Sequence, residues 1–166
     1  MAGHGTDVVT RLEADHRAVE ALFVRLGTAA AGERRELVDT LADHLLRHAT
    51  AERTYLHPAI RRYVLGGRAM ADREIDDHAG IRRLIGRLHG AADDDPGTER
   101  LRGRLLEAVH AHVREEELHV FPALRAAAGQ AVLDALGEQL HTCRYVQPHA
   151  AHRPCTPPGR NPATGS

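Results

Sequence analysis

Two short stretches of this chain carry residue types and spacings suited to metal chemistry. His48-Ala-Thr-Ala-Glu52 is followed by Leu56-His57-Pro58, and His112-Val-Arg-Glu-Glu116 is followed by Val120-Phe121-Pro122. In both, the glutamate comes four residues after the histidine and the proline ten. Four residues is slightly more than one α-helical turn, so imidazole and carboxylate share a face. A histidine and a carboxylate on one face, supplied twice, is the equipment of a two-metal site inside a helical bundle.

The repetition extends through the chain with a period near 63 residues. Asp15-His16 returns as Asp77-His78, 62 residues on, with Val19 and Leu22 matched by Ile81 and Leu84. His48, Glu52 and Pro58 return as His112, Glu116 and Pro122, each 64 residues on. Each half therefore reads as a helix pair, one helix giving a single histidine and the next a His-x-x-x-Glu. Two such pairs make an all-α, antiparallel up-down-up-down four-helix bundle with pseudo-twofold symmetry. Four imidazoles (His16, His48, His78, His112) and two carboxylates (Glu52, Glu116) then meet on its axis, enough to hold two metals that share the carboxylates.

Apolar periodicity supplies the rods that position these groups. The first helix is expected over Asp7 to Ala30 with Thr6 as N-cap, carrying Val8, Leu12, Val19, Leu22, Phe23 and Leu26 inward. The second starts near Glu33 with Leu37, Leu41, Leu45 and Leu46; Pro58 is expected to kink or end it, leaving a short continuation to Gly66-Gly67. The third runs from about Arg68 to His89 with Ile75, Ile81, Leu84, Ile85 and Leu88 inward. Asp95-Pro96 is a good helix start, an acidic N-cap with proline at the first position. That fourth helix carries Leu101, Leu105, Leu106, Val109, Val113 and Leu118 inward and reaches about Leu124, and a short fifth helix covers Gln130 to about His141. The bundle domain is placed at 1–145. Residues 146–166, rich in proline and glycine, are expected to form a disordered tail.

Composition narrows the function classes. Aromatic residues make up only 3% of the 166, with no tryptophan, so the core must be aliphatic, which suits helix packing. All 22 basic residues are arginine and the net charge is −1; no basic stripe with interleaved aromatics argues for nucleic acid. No apolar run approaches the roughly 18 residues of a membrane span, and the N-terminus does not resemble a signal peptide. The two cysteines, Cys143 and Cys155, form neither a disulfide framework nor a C-x-x-C site, and a cytoplasmic location is the expectation.

A lone His-x-x-x-Glu is weak: His16 and Glu20 match it too, and such pairs are common helical decoration. The conjunction in one duplicated order is what favours a metal site. His44, His57, His89, His110, His119 and His141 have no histidine at the repeat offset and read as incidental surface or packing residues. A ferritin-like carboxylate bundle is the structural competitor, since Glu13, Glu107, Glu116 and Glu138 each begin a Glu-x-x-His, but the matches do not fall in the order it needs. A metal-free interaction domain would leave up to six buried polar groups without partners. The donor set suits Fe, Mn or Zn. Six side chains for two metals leave coordination positions open, as a site for O2, peroxide or NO requires.

On these residues the chain resembles the hemerythrin-like, HHE cation-binding domains, over about residues 7 to 125. The matching residues are Asp15-His16, His48 to Glu52 with Leu56-His57-Pro58, Asp77-His78, and His112 to Glu116 with Phe121-Pro122. The resemblance implies a non-haem di-iron centre, two Fe ions bridged by Glu52, Glu116 and an oxo or hydroxo group, with His16, His48, His78 and His112 as terminal ligands. Oxygen-carrying members of the family have a further histidine four residues before the third-helix histidine. Here that position is Glu74, which would either act as a carboxylate ligand or face water. The pattern is closer to bacterial members with one histidine on each odd helix, which implies catalase-like or peroxide-detoxifying chemistry. Binding or sensing of O2, NO or iron without turnover is the alternative. Tyr55, one turn after Glu52, is either a packing residue or a hydrogen-bond donor beside the site.

Overall fold

The structure, a computed structural model, describes residues 6–92 and 95–146. It is all-helical, with no strand among the described residues. Helix α1 is Val8–Thr28 and α2 is Ala31–Ala51. A π-helical turn, Glu52–Leu56, joins α2 to α3, His57–Tyr63. Helix α4 is Gly67–His89. Helix α5, Pro96–Glu115, passes through a second π turn, Glu116–Val120, into α6, Phe121–Ala128. Helix α7, Gln130–Val146, packs on α1 and α6. The expected four rods and fifth helix are therefore present, the fifth longer than its apolar pattern implied. The Pro/Gly-rich tail from residue 147 lies outside the described residues, as does Cys155; Cys143, half-buried on α7, is not a free thiol.

Pro58 interrupts its helix without ending it. Proline lacks an N–H and its ring presses on the carbonyl four residues back. The π turn takes up this demand by widening the helix: the N–H of His57 reaches back five residues to the Glu52 carbonyl, and that of Phe121 does the same to Glu116. The rod then continues to Tyr63 in one case and Ala128 in the other. The extra residue re-aims the side chains within the turn. Leu118, expected inward, is 56% exposed, and on α4 Ile75 also faces out. The chain turns from α3 into α4 through Gly66, whose φ of +73° lies in the left-handed region that glycine adopts without strain.

The aliphatic core is divided in two. One cluster gathers Val8, Leu12, Leu56, Ile60, Phe121, Leu124, Leu133 and Leu140 at the α7 end. The other gathers Val19, Leu22, Leu41, Leu45, Ile81, Ile85, Leu105 and Val109 at the opposite end. Between them lies a polar layer. His16 sits between Leu12 and Val19 on α1, His48 between Leu45 and Ala51, and His112 between Val109 and Val120.

Asp7, not Thr6, caps α1. Its Oδ1 accepts from the Thr10 N–H at 2.8 Å, and its carboxylate also takes the Arg125 guanidinium at 2.8 and 3.3 Å and Gln130 Nε2 at 3.2 Å. A carboxylate satisfies all of these donors where the Thr6 hydroxyl could not, so one residue ties the start of α1 to α6 and α7. Burial works against the charge, but Arg125, the Thr10 N–H and Gln130 outweigh it and hold Asp7 at about 2, below its ordinary 3.8. A carboxyl depressed in the folded state adds stability above its unfolded pKa and loses it as pH falls toward the folded one. Asp7→Ala is expected to cost about 1–2 kcal/mol near neutral pH. The gap in urea midpoint between the two proteins should narrow from about pH 5 toward pH 3; a gap that stays constant would contradict this role.

Candidate metal centre

Every residue singled out for the site by its place in the duplication lies in the polar layer. His16 comes from α1, His48 from α2, His78 from α4 and His112 from α5, while Glu52 and Glu116 open the two π turns. Glu52 and Glu116 have no exposed surface, and Glu74 is 1% exposed, so it faces the layer and not water. Tyr55 lies in the apolar cluster at the α7 end, where burial pushes its phenol up.

The ring nitrogens converge in two pairs. His16 Nε2 lies 3.2 Å from His48 Nε2, and His78 Nε2 lies 2.9 Å from His112 Nε2. The carboxylates span the pairs. Glu52 places Oε1 2.9 Å from His48 Nε2 and Oε2 2.9 Å from His78 Nε2. Glu116 Oε2 is 3.1 Å from His16 Nε2 and 3.6 Å from His112 Nε2. Two groups of donor atoms emerge within 4.8 Å of one another, His16–His48–Glu52–Glu116 and Glu74–His112–Glu116, with a third, Glu52–His57–His78, beside them.

The outward nitrogens decide which way the inner ones point. His16 Nδ1 donates to Glu117 at 2.9 Å, and Glu117 is itself held by Arg17. His48 Nδ1 donates to Asp15 at 3.3 Å. His112 Nδ1 faces Glu74 at 3.4 Å, off hydrogen-bond geometry. A carboxylate at Nδ1 keeps the proton there and leaves Nε2 as a lone pair, the arrangement that metal-bound histidines adopt. The aspartate of Asp15-His16 thus orients the histidine of the next helix, a role its place in the sequence did not reveal.

With the protons on Nδ1, the Nε2 atoms of His16 and His48 turn lone pairs toward each other and toward carboxylate oxygens. Glu52 and Glu116 stand close to imidazole nitrogens, yet all four of their oxygens lack a partner in hydrogen-bond geometry. Close nitrogen and oxygen atoms that do not hydrogen-bond are what neighbouring ligands of one cation look like: metal–ligand bonds of about 2.0–2.2 Å place cis donors roughly 3 Å apart. The donor set therefore fits a pair of cations, with Glu52 and Glu116 placed to bridge.

The electrostatics of the metal-free centre agree. Burial disfavours charge on His48, but Glu52, Asp15 and Glu116 outweigh it and push its pKa well up, so a proton stands where a cation fits. Burial would raise Glu52, but His48 and His78 hold it well below the usual carboxylate range. Glu116, raised by burial and by Glu52, is brought down by His112, His16 and His48. Burial and the neighbouring Glu116, Glu52 and Asp77 push Glu74 up to about 10, which makes it a neutral acid.

One histidine read as a surface or packing residue lies beside the centre. His57 is 1% exposed and stacks on His78 at 5.7 Å. Its repeat partner is Phe121, so the matched histidines do not point to it. Of the other unmatched histidines, His110 pairs with Glu20, His119 with Glu115 and His89 with Asp39 at the surface, and half-buried His141 accepts from Arg11 at 3.2 Å. Glu13, Glu107 and Glu138, which a ferritin-like arrangement would draw in, are not among the grouped donors. A small cleft of about 20 Å³ reaches His48, His78 and His112 between α2 and α4, past Leu45, Ile81 and Ile85, with room for about one water-sized molecule.

The family model of the hemerythrin HHE cation binding domain matches residues 7–124, and also 77–146. The chain belongs to the hemerythrin HHE family. No curated protein gives a match. Among solved structures, the crystal structure of a hemerythrin HHE cation binding domain-containing protein from Mycobacterium kansasii, a Rv2633c homolog, superposes with a TM-score of 0.73. It is 22% identical, and the match covers 82% of this chain and 83% of that one, which establishes a shared fold. Family membership and the buried histidine–glutamate cluster together mark a metal-binding, specifically an iron-binding, domain.

The residues at Nδ1 can be tested separately from the donors. Asp15→Asn and Glu117→Gln keep size and remove the charge that fixes each ring. Each is expected to weaken metal binding by roughly 10–100-fold without unfolding the bundle. Titration of the metal-free variants with Co(II) measures this, and unchanged affinity in both would remove the orienting role.

Proposed function

We propose that this HHE protein holds two non-haem irons and reacts with O2 or peroxide, with catalase-type conversion of two H2O2 to O2 and two H2O as its leading activity. The observation that carries the reading is the two pairs of facing Nε2 atoms, 3.2 and 2.9 Å apart, with both buried carboxylates spanning them. His16 and His48 would hold one ion, His78 and His112 the other, and Glu52 and Glu116 would bridge. An oxo- or hydroxo-bridged iron pair supplies Lewis acidity and electrons for O–O chemistry when bound.

The chain's own residues provide the rest. Asp15 and Glu117 keep His48 and His16 turned inward through their Nδ1 protons. The two apolar clusters close the layer above and below, so water cannot flood it. The small cleft between α2 and α4 leads to His48, His78 and His112 and has no room for a large substrate. Glu74 stands at the wall of the centre, beside His112 and Glu116.

Iron content and the visible spectrum of anaerobically purified protein, before and after O2 or peroxide, test this directly. About two irons per chain, oxo-bridge absorption and rapid peroxide decay are expected. Bound iron without peroxide decay would replace turnover with O2, NO or iron binding; zinc with a featureless spectrum would remove the redox reading. His48→Ala and Glu116→Ala should lower iron content and melting temperature together, since bound metal stabilises the fold. His44→Ala, half-buried on α2 outside the grouped donors, should do neither.

The same centre should be pH-sensitive in one direction. Iron must displace the proton that Glu52, Asp15 and Glu116 hold on His48, so loading releases protons and affinity rises with pH. Iron titrations at about pH 5.5 and pH 7.5 should differ by an order of magnitude or more; equal affinities would mean that the imidazoles are not ligands.

A further inference from the structure

The duplication gives each residue of the centre a counterpart, and two of those pairs are chemically unlike. At the 62-residue offset that relates His16 to His78, Leu12 corresponds to Glu74. At the 64-residue offset that relates His48 to His112, His57 corresponds to Phe121. All four side chains are buried, with exposures of 0% for Leu12 and 1% for each of the others. The mismatches fall on one side. The His16–His48 pair is flanked by leucine and phenylalanine, the His78–His112 pair by a carboxyl and an imidazole.

The two aromatic rings do the same packing job. Phe121 stacks on His16 with centroids 5.7 Å apart and planes 10° apart, and His57 stacks on His78 at 5.7 Å and 25°. Phenylalanine fills this position without polar atoms. His57 brings two fully buried ring nitrogens, and neither has a hydrogen-bond partner. Leaving buried polar atoms unpaired is costly, so packing alone does not account for an imidazole here. A nitrogen of His57 does lie within 4.8 Å of donor atoms of both Glu52 and His78. Glu74 Oε2, likewise unpartnered, stands beside His112 and Glu116 on the same side.

We infer that His57 is a fifth imidazole of the centre, binding the metal held by His78 and His112, so that the two metal positions are unequal. This rests on the two-metal reading of the site. It adds that this half of the duplication has gained protein donors while the other has kept apolar walls.

The variant that isolates this role is His57→Phe, which installs the residue found at the matching position. Metal-free wild type and variant are titrated with Fe(II) under anaerobic conditions, and melting is followed with and without metal. If His57 is a ligand, the metal-free variant melts higher, because two unpaired buried nitrogens are gone, yet one of its two binding steps weakens by about tenfold or more. Its metal-dependent gain in melting temperature shrinks accordingly. Two binding steps and a melting gain unchanged from wild type would overturn the inference and make His57 a packing residue. Should the variant fail to fold, ring-nitrogen NMR of wild type loaded with Zn(II) decides: a metal-bound His57 ring supports the assignment and a free one overturns it. Wild type that takes up no metal would instead sink the two-metal reading, an outcome distinct from either result for His57.

Discussion

The structure depends on one constraint: buried lone pairs that face each other need a positive charge between them. His16 and His48 turn their Nε2 atoms together at 3.2 Å while Asp15 and Glu117 hold the protons on the far side of each ring. Glu52 and Glu116 add two carboxylates with no access to water. Without a cation or an added proton this layer would be strongly unfavourable in an apolar interior. Metal-free, the layer resolves the conflict by holding His48 charged and Glu74 neutral. Occupied, it would resolve it with metal, which explains why the aliphatic core is split into two clusters in place of one continuous stack.

The prolines belong to the same design. Each stands second after a π turn that opens with Glu52 or Glu116, so the widening that accommodates the proline occurs at the site itself. A regular helix would end or bend sharply there. The π turn lets the rod run on, so α3 packs on α6 and α6 on α7, closing that end of the centre. It also brings the residue before each proline, His57 or Phe121, over the ring of the single histidine from the neighbouring half.

What could be read in the sequence was whatever repeats. Spacing and duplication were sufficient for the bundle and the helix order, and the six side chains they single out lie in one polar layer. Singular features were harder. His57 was hidden because its counterpart is a phenylalanine. Glu117 was hidden because the residue 64 positions earlier is Arg53, so no pattern pointed to its contact with His16. The cap of α1 was placed one residue early because Thr6 and Asp7 are both good caps, and only the Arg125 and Gln130 contacts, more than 100 residues away, distinguish them. The π turns were not legible either: a proline in an apolar helical pattern announces a disturbance, but whether the chain breaks, bends or widens depends on what the far side must pack against.

A duplicated bundle builds a symmetric frame, and symmetry alone would make the two halves of its centre alike. Chemistry at a metal pair benefits from difference, with one ion held firmly by protein and the other able to accept a ligand. The frame tolerates this difference because the positions involved lie where the helices meet the π turns, and the same packing volume accepts either an apolar or a polar side chain. Phe121 and His57 fill equivalent places with similar ring stacking, so exchanging one for the other alters the donors without moving the rods. Leu12 and Glu74 are likewise both fully enclosed. The helices and their spacing can therefore stay symmetric while the coordination diverges, and the residues that break the symmetry are the ones that determine what each half of the centre can do.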